Sequence, residues 1–216
     1  MCKRSSLFVV SFLCFASAAS AGAIEYQVSV DTSGISGTPG SLDFQFNPGA
    51  LVTQAASLQI LNFSSDGSLA GSPAPTGDVS GALPAALTFD NGTVYNDYFE
   101  GFTFGTNLFF DVSLYGPALS SPDGTSTSGS TFAFSMFSDS AGTIPALTTD
   151  TVDGFAVTVD VNLAGTTTAA SLSDQTAIEQ VSSTPEPGSM AEMALAVGLW
   201  ITFRLRQQRR QQAASF

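Results

Sequence analysis

The sequence predicts an all-β protein whose body is an antiparallel two-sheet sandwich with jelly-roll-like connections. Three observations lead to this prediction. Apolar residues recur at every second position in several short runs, turn-forming dipeptides separate the runs, and no long stretch has the spacing of an amphipathic helix. Short strands punctuated in this way are typical of sandwiches. We expect about eight to ten of them, mainly within residues 24–165.

The alternating runs predict individual strands. In chain order they lie at residues 26–30, 42–46, 110–114, 132–136 and 155–161. Phe and β-branched residues dominate these runs, as expected for side chains that pack on a pleated surface. A further strand includes Leu58 and Ile60, and its alternation changes phase at Leu61. That change predicts a β-bulge at this point.

Turn signals and composition predict the remaining organisation of the body. Asn91-Gly92 lies between two short runs, 88–90 and 93–95, and predicts a β-hairpin turn. Residues 166–183 are rich in Thr, Ala and Ser. This composition predicts one last strand followed by a linker.

The distribution of charge excludes several functions for the body. Residues 24–183 contain thirteen Asp and three Glu, but no Lys, Arg or His. A body without cations does not neutralise phosphates, so nucleic-acid binding is excluded. Both cysteines, Cys2 and Cys14, lie near the N-terminus and outside the body. We therefore expect neither disulfides nor thiol chemistry in it.

Residues 1–23 predict a secretory signal peptide. Lys3 and Arg4 precede an apolar run at 7–15, which is too short to span about 30 Å of hydrocarbon. Small residues then provide the signal-peptidase cleavage region, at Ala19, Ala21 and Ala23. We expect the mature chain to begin at residue 22 or 24.

Residues 184–216 have three parts in a fixed order. Pro185, Glu186 and Pro187 break the chain, and residues 190–203 are mostly apolar and predict a short hydrophobic helix. Arginines close the segment, at Arg204, Arg206, Arg209 and Arg210. Positive charge after the apolar run predicts a cytoplasmic C-terminus and an exported body. The run is short for a permanent membrane anchor, although a plain single-pass anchor remains the alternative.

This tail resembles the PEP-CTERM sorting signal. The resemblance implies that an exosortase recognises Pro185-Glu186-Pro187, cuts nearby, and releases or transfers a body that is only transiently anchored in the inner membrane. It also implies an association with exopolysaccharide. The body is similar to uncharacterised PEP-CTERM ectodomains in five segments, at 31–34, 42–49, 96–99, 102–105 and 154–160.

Carboxylates are the candidate chemical groups of the body. Asp97 and Glu100 are a candidate glycosidase pair, but residues three apart in a strand point to opposite faces. Asp150 and Asp153, beside Gly154, are the candidate ligands of a structural calcium ion, the one cofactor that the sequence suggests. Turn formation explains the same residues without a metal.

A clustered group of aromatic residues has two interpretations. The group comprises Tyr95, Tyr98, Phe99, Phe102 and Phe104. As an exposed platform it would stack on sugar rings, whereas alternate aromatic residues in a strand ordinarily pack in the core.

The sequence therefore predicts a non-enzymatic protein of the cell surface or extracellular matrix, with no catalytic residue. Its expected processing partners are signal peptidase and an exosortase. The alternatives are a carbohydrate- or calcium-dependent binding module and, secondly, a secreted hydrolase that relies on Asp, Glu and Tyr alone.

Overall fold

The computed structural model describes residues 22–181, Trp200 and Arg204. Thirteen strands make up about half of this part of the chain. They are β1 (Ile24–Asp31), β2 (Pro39–Pro48), β3 (Ser57–Ser65), β4 (Ser68–Leu69), β5 (Ala74–Thr76), β6 (Val79–Gly81), β7 (Leu87–Asp90), β8 (Asp97–Thr103), β9 (Asn107–Tyr115), β10 (Ser130–Phe137), β11 (Phe155–Val161), β12 (Thr167–Ser171) and β13 (Thr176–Val181). A 3₁₀ turn (Ser33–Ile35) and one short helix, α1 (Pro117–Ser120), accompany them.

The strands form two antiparallel sheets, which confirms the predicted all-β class. Sheet A has the order β13-β1-β9-β3-β7-β6. Sheet B has the order β12-β11-β10-β2-β8-β4, and β5 also pairs with β8. Consecutive strands often lie in different sheets, so the chain crosses repeatedly between the two layers.

Phenylalanine side chains join the two sheets at the centre of the core. Phe110 of sheet A lies 5.2 Å from Phe44 and 4.9 Å from Phe134, both of sheet B, measured between ring centroids. All three rings are almost fully buried. Such aromatic contacts add to the large apolar area that each ring removes from water. The period-two runs thus become strands because one face of each strand packs into this shared core.

The predicted bulge lies in β3. The pairing of β3 with β9 shifts register between Leu61 and Ser64, and Asn62 adopts a left-handed backbone with φ of 53°. Asn tolerates this conformation better than most residues. The extra residue restores Phe63 to the buried face, which explains the change of phase in the sequence.

The predicted hairpin at Asn91-Gly92 is wrong. β7 belongs to sheet A and β8 to sheet B, so the connection crosses between sheets. The Asn91 amide nitrogen donates to the Gln54 carbonyl (2.9 Å) and to Ser130 Oγ (2.8 Å), and its oxygen accepts from the Ala56 amide (3.0 Å). These contacts with distant segments fix the crossing, whereas the local signal indicates only that the chain turns.

Residues 166–183 contain more structure than the predicted single strand and linker. β12 pairs with β11 at the edge of sheet B, and β13 pairs with β1 at the edge of sheet A. The sandwich therefore extends to Val181, beyond the boundary that the sequence placed at residue 165. These edge strands face solvent over much of their surface, which is why their composition is polar and their alternation weak.

Both ends of the body lie at the same end of the sandwich. Glu25, near the start of β1, pairs with Val181 at the end of β13. We call this end the terminal pole. The opposite end, where Asp31 pairs with Asn107 and Val30 pairs with Thr176, is the distal pole.

Most of the predicted processing residues lie outside the described residues. This applies to Ala19, Ala21, the Pro185-Glu186-Pro187 motif, and three arginines, Arg206, Arg209 and Arg210. Arg204 is exposed and helical, and its guanidinium lies 5.0 Å from the centroid of the Trp200 ring. Ala23 directly precedes β1. Within 22–181, Trp200 and Arg204, there is no helix with the length and apolarity needed to cross a membrane.

Candidate functional site

The outer face of sheet A carries a depression around the exposed ring of Phe109. This residue is the third of β9 and lies between two buried neighbours, Leu108 and Phe110. Its own side chain is 47% exposed. Phe109 thus points away from the core, and its ring is accessible from solvent.

Small side chains beside Phe109 form the floor of the depression. In the register of sheet A, Phe109 is opposite Ser29 of β1 and Ser64 of β3, and Ser29 is opposite Ala177 of β13. Directly opposite residues project from the same face of a sheet. Short neighbours therefore leave one side of the Phe109 ring uncovered. We call Ser29, Ser64 and Ala177 the floor row.

A polar row borders the floor row on the side of the terminal pole. Gln27 is opposite both Glu179 and Asp111. The Asn62 amide donates a 2.6 Å hydrogen bond to Asp111 Oδ2, so the bulge in β3 helps to hold this carboxylate in place. The row therefore presents two carboxylates and two amide groups beside the aromatic ring.

The depression continues to the distal pole as two adjoining cavities. The first has a volume of about 420 Å³ and includes the polar row, and the second has a volume of about 350 Å³. Both contact Phe109, Ser29 and Ala177. The second is also lined by Asp31 and Asp174. Both hollows are open to solvent along the face of the sheet, so a ligand here lies on the surface and is not enclosed.

Hydrogen bonding holds the Asp31 carboxylate in its charged form. The side chain and backbone amide of Ser33 donate to this group and lower its pKa below its ordinary value. Residues 22–181 contain no Lys, Arg or His that could neutralise it or the other carboxylates of the depression. The depression is therefore anionic, with a single aromatic surface at its centre.

A pair of carboxyl groups, Asp43 and Asp97, lies on the outer face of sheet B. Asp43 is 7% exposed, and its Oδ2 accepts a 2.7 Å hydrogen bond from the Gln45 amide. The Oδ1 atoms of Asp43 and Asp97 are buried and accept no hydrogen bond. Burial, together with the adjacent Asp43 carboxylate, raises the pKa of Asp97 to about 9. Asp97 is therefore protonated at neutral pH.

Tyr95 lies beside this pair. Partial burial and the nearby charges of Asp97 and Asp43 raise the pKa of its hydroxyl to about 12. Tyr95 thus stays neutral at physiological pH. Its side chain is 47% exposed, the same fraction as Phe109 on the other sheet.

Asp97 and Glu100 face opposite sides of β8, as their spacing predicts. Asp97 lies on the outer face, whereas Glu100 is buried on the core side. Glu100 Oε2 accepts a 2.6 Å hydrogen bond from the Tyr98 hydroxyl, and Oε1 accepts from the Gly71 amide at 2.9 Å. Two carboxylates on opposite faces of a strand do not flank one glycosidic bond.

The candidate calcium ligands lie in a turn that is closed by the protein itself. Asp150 Oδ1 accepts hydrogen bonds from the amides of Val152 (3.0 Å) and Asp153 (3.2 Å), and Oδ2 accepts from the amide of Phe155 (3.2 Å). These bonds, that from Val152 first, lower the pKa of Asp150. Among the described residues, no group of three or more Asp, Glu, His or Cys is placed to hold a metal. Calcium at Asp150 and Asp153 stays a prediction.

The aromatic cluster around β8 belongs mainly to the core. Tyr98, Phe102 and Phe104 are buried, and Phe102 packs edge to face on Phe104 with ring centroids 5.3 Å apart. Core packing, the ordinary expectation for alternate aromatic residues, is confirmed for these three. Tyr95 and Phe99 lie outside this packed group.

Sequence reasoning missed the two most distinctive positions, Phe109 and Asp43. Phe109 shares the outward-facing positions of β9 with Asn107 and Asp111. An aromatic residue among polar residues at these alternate positions could have been recognised in the sequence as an exposed ring. Asp43 gave no comparable signal. It meets Asp97 only through the pairing of β2 with β8, whose register is set by the whole fold.

Comparisons of the chain with protein-family models, with curated proteins and with solved structures found no match.

Proposed function

We propose that this chain is an exported protein of the cell envelope or extracellular matrix, with a non-enzymatic structural or interaction role. In this proposal signal peptidase removes residues 1–23, and an exosortase processes the tail at Pro185-Glu186-Pro187. The sandwich then remains at the cell surface or outside the cell, in a jelly-roll-like arrangement of its two sheets.

The pairing of Glu25 with Val181 carries this proposal. It means that the segment before β1 and the segment after β13 leave the sandwich from the same pole. A body tethered in this way points its distal pole away from the membrane during processing.

The charge distribution supports the same proposal. The body bears sixteen carboxylates and no basic side chain, whereas the six Lys and Arg residues lie in the first four and last thirteen positions. Basic residues beside apolar segments stay on the cytoplasmic side of a membrane. A uniformly acidic body is soluble and repels its own copies.

The alternative is a binding module of the cell surface, and the depression around Phe109 favours it over a hydrolase. An exposed aromatic ring beside amide and carboxylate groups is suited to contact a ligand. Catalysis by Asp97 and Glu100 lacks this kind of support, because they lie on opposite faces of β8.

Localisation of a tail variant tests the proposal. Pro185, Glu186 and Pro187 are replaced together by Ala in the source organism, and the product is followed by fractionation. We expect wild type at the cell surface or in the medium without its tail, and the variant in the inner membrane with its tail retained. The matched control replaces Ser182, Ser183 and Thr184 by Ala, and is processed like wild type.

Two results would contradict the proposal. One is recovery of the wild-type chain from the cytosol with both ends intact. The other is identical processing of the variant and wild type. That result would exclude recognition of Pro185-Glu186-Pro187 by an exosortase, and the tail would then be a plain membrane anchor or the substrate of an unrelated protease.

A further inference from the structure

We infer that the depression on sheet A binds a polysaccharide whose sugar rings carry free amino groups. The inference deepens the proposed function by naming a ligand class for the exported body. It rests on the shape of the depression, on its charge, and on its position in the fold. Each of these observations restricts the ligand in a different way.

The shape favours a flat ring with an apolar face. Phe109 stands beside a floor row of small side chains, so one side of its ring is open along the sheet. The axial C–H groups of a pyranose form an apolar face that stacks on an aromatic ring. The hydroxyl groups at the sugar edge then meet Gln27 and Asn62, which offer both donors and acceptors.

The charge favours an amino sugar over neutral or acidic sugars. Asp111 and Glu179 flank Gln27 next to Phe109, and Asp31 and Asp174 line the distal cavity. Residues 22–181 provide no basic side chain to balance them. An ammonium group on the ligand supplies this balance and also interacts favourably with the face of the Phe109 ring. Uronic acids and other anionic sugars are repelled.

The position favours a polymer. The two cavities lie end to end and continue from the middle of sheet A to the distal pole. A chain of linked sugars can follow this path along β1, β9 and β13, whose residues rise about 3.4 Å each. In the proposed orientation the distal pole is the part of the body that points away from the membrane.

Calorimetric titration of the full chain, purified in detergent, tests the inference with a hexamer of β-1,4-linked glucosamine. The comparison ligands are the N-acetylglucosamine hexamer, which has the same linkage without the charge, and a galacturonate hexamer. We expect the glucosamine hexamer to bind, the N-acetylated hexamer to bind more weakly, and the galacturonate hexamer not to bind. Affinity should fall as salt is raised.

Matched variants separate the site from the general acidity of the body. Phe109→Ala should weaken binding by about fivefold or more, whereas Tyr95→Ala, which removes an equally exposed aromatic ring, should not. Asp111→Asn combined with Glu179→Gln should also weaken binding. Asp78→Asn, which removes an exposed charge between β5 and β6, should have little effect.

Several results would overturn the inference. One is that the glucosamine hexamer does not bind, and another is that wild type and Phe109→Ala bind it equally. A third is that Asp78→Asn weakens binding as much as the combined change of Asp111 and Glu179. The fourth is that the protein prefers the N-acetylglucosamine hexamer. Concentration-dependent self-association that Phe109→Ala abolishes, without any sugar binding, would assign the surface to a second copy of the chain instead.

The outcome is independent of the test of export. Binding that depends on Phe109, in a protein retained in the cytosol, would support the site and contradict the proposed function. An exported and processed protein that binds none of the three sugars would support the proposed function and contradict the binding site.

Discussion

Buried polar side chains are the residues at which this sandwich departs most from a simple apolar core. Tyr98 and Glu100 both point inward from β8, and the Tyr98 hydroxyl connects the Glu100 carboxylate to the amide of Leu83 (3.1 Å). Burial and the neighbouring carboxylate raise the pKa of Tyr98. A carboxylate in the core is tolerable only when its oxygens are hydrogen-bonded, so Tyr98 has a structural role.

The first prediction concerns this hydroxyl. Tyr98→Phe leaves Glu100 Oε2 without its donor, and we expect the free energy of unfolding to fall by about 1–3 kcal/mol. Urea denaturation measures it. Tyr95→Phe removes a hydroxyl from a half-exposed ring and should change the value by less than about 0.5 kcal/mol. Equal effects of the two changes would contradict the assigned role of Tyr98.

The second prediction concerns the carboxyl pair on sheet B. The pKa of Asp97 is about 9 in the folded chain and near 3.8 when unfolded, so between these values the folded state holds a proton that the unfolded state lacks. The stability that this proton provides is complete below about pH 4 and is lost as pH rises to about 9. Asp97→Asn should therefore flatten the decline of stability over this range and stabilise the protein at pH 8.

A charge-matched variant is needed as the control for that measurement. Every carboxylate of an acidic body contributes to self-repulsion as pH rises. Asp153→Asn, measured without calcium, removes one exposed charge of the same type. Its curve of unfolding free energy against pH should keep the shape of the wild-type curve. A similar flattening in both variants would show that the decline of stability with pH does not come from a proton held by Asp97 in the folded state.

At the scale of the element, the bulge in β3 joins the fold to the candidate site. Asn62 takes the left-handed backbone that the bulge requires, and its amide holds Asp111 at the edge of the depression. The extra residue also lets β3 present Ile60 and Phe63 to the core, although they are three positions apart. A local irregularity thus serves packing and places a surface carboxylate.

The third prediction follows from the backbone of Asn62. Asn62→Val places a β-branched residue at a φ of 53°, and we expect a loss of about 1–2 kcal/mol in the free energy of unfolding. Asn62→Gly loses the same side-chain hydrogen bond but fits the conformation, and should cost less than about 0.5 kcal/mol. Thermal denaturation of the two variants tests this, and the opposite order would contradict the assigned bulge.

The success of sequence prediction varied with how local the determining contacts are. Alternation predicted β1, β2, β9, β10 and β11 because one face of each packs in the core. It predicted the bulge for the same reason, since a phase change is visible within a few residues. The crossing at Asn91 was not predictable, because contacts with Gln54, Ala56 and Ser130 decide it.

The candidate site was predictable only in part. The sequence shows Phe109 as an aromatic residue at an otherwise polar, alternate position of β9. The space beside its ring depends on Ser29, Ser64 and Ala177, which come from three other strands. The pairing of Asp43 with Asp97 depends on the register of β2 and β8. Sites assembled from several strands need the fold before they can be recognised.

At the scale of the whole molecule, charge and chain path act together. The body is uniformly acidic, and both of its ends leave from the terminal pole. The depression extends to the opposite pole. If one pole is held near a membrane, this arrangement exposes the candidate binding surface to the surroundings of the cell.

The fourth prediction concerns the charge of the body. Because the ionised carboxylates of the body repel one another without basic partners, added salt should stabilise the fold by screening them. We expect the midpoint of thermal unfolding at pH 7 to rise steadily between about 0.01 M and 0.1 M NaCl. A midpoint that is constant or falls with salt would contradict this view.

The predicted calcium site at Asp150 and Asp153 makes a further prediction. At matched ionic strength, CaCl₂ should raise the midpoint of thermal unfolding more than NaCl does, and this additional rise should be lost in Asp150→Asn and in Asp153→Asn.

The intact mass of the endogenous product distinguishes an exported and processed protein from an unprocessed one. Protein recovered from the cell surface and medium is analysed by mass spectrometry without digestion. We expect a product that starts at residue 22 or 24, retains β1 to β13, and ends near Pro185-Glu186-Pro187. A full-length mass, 22.2 kDa with both basic ends present, found in the cytosol would contradict it.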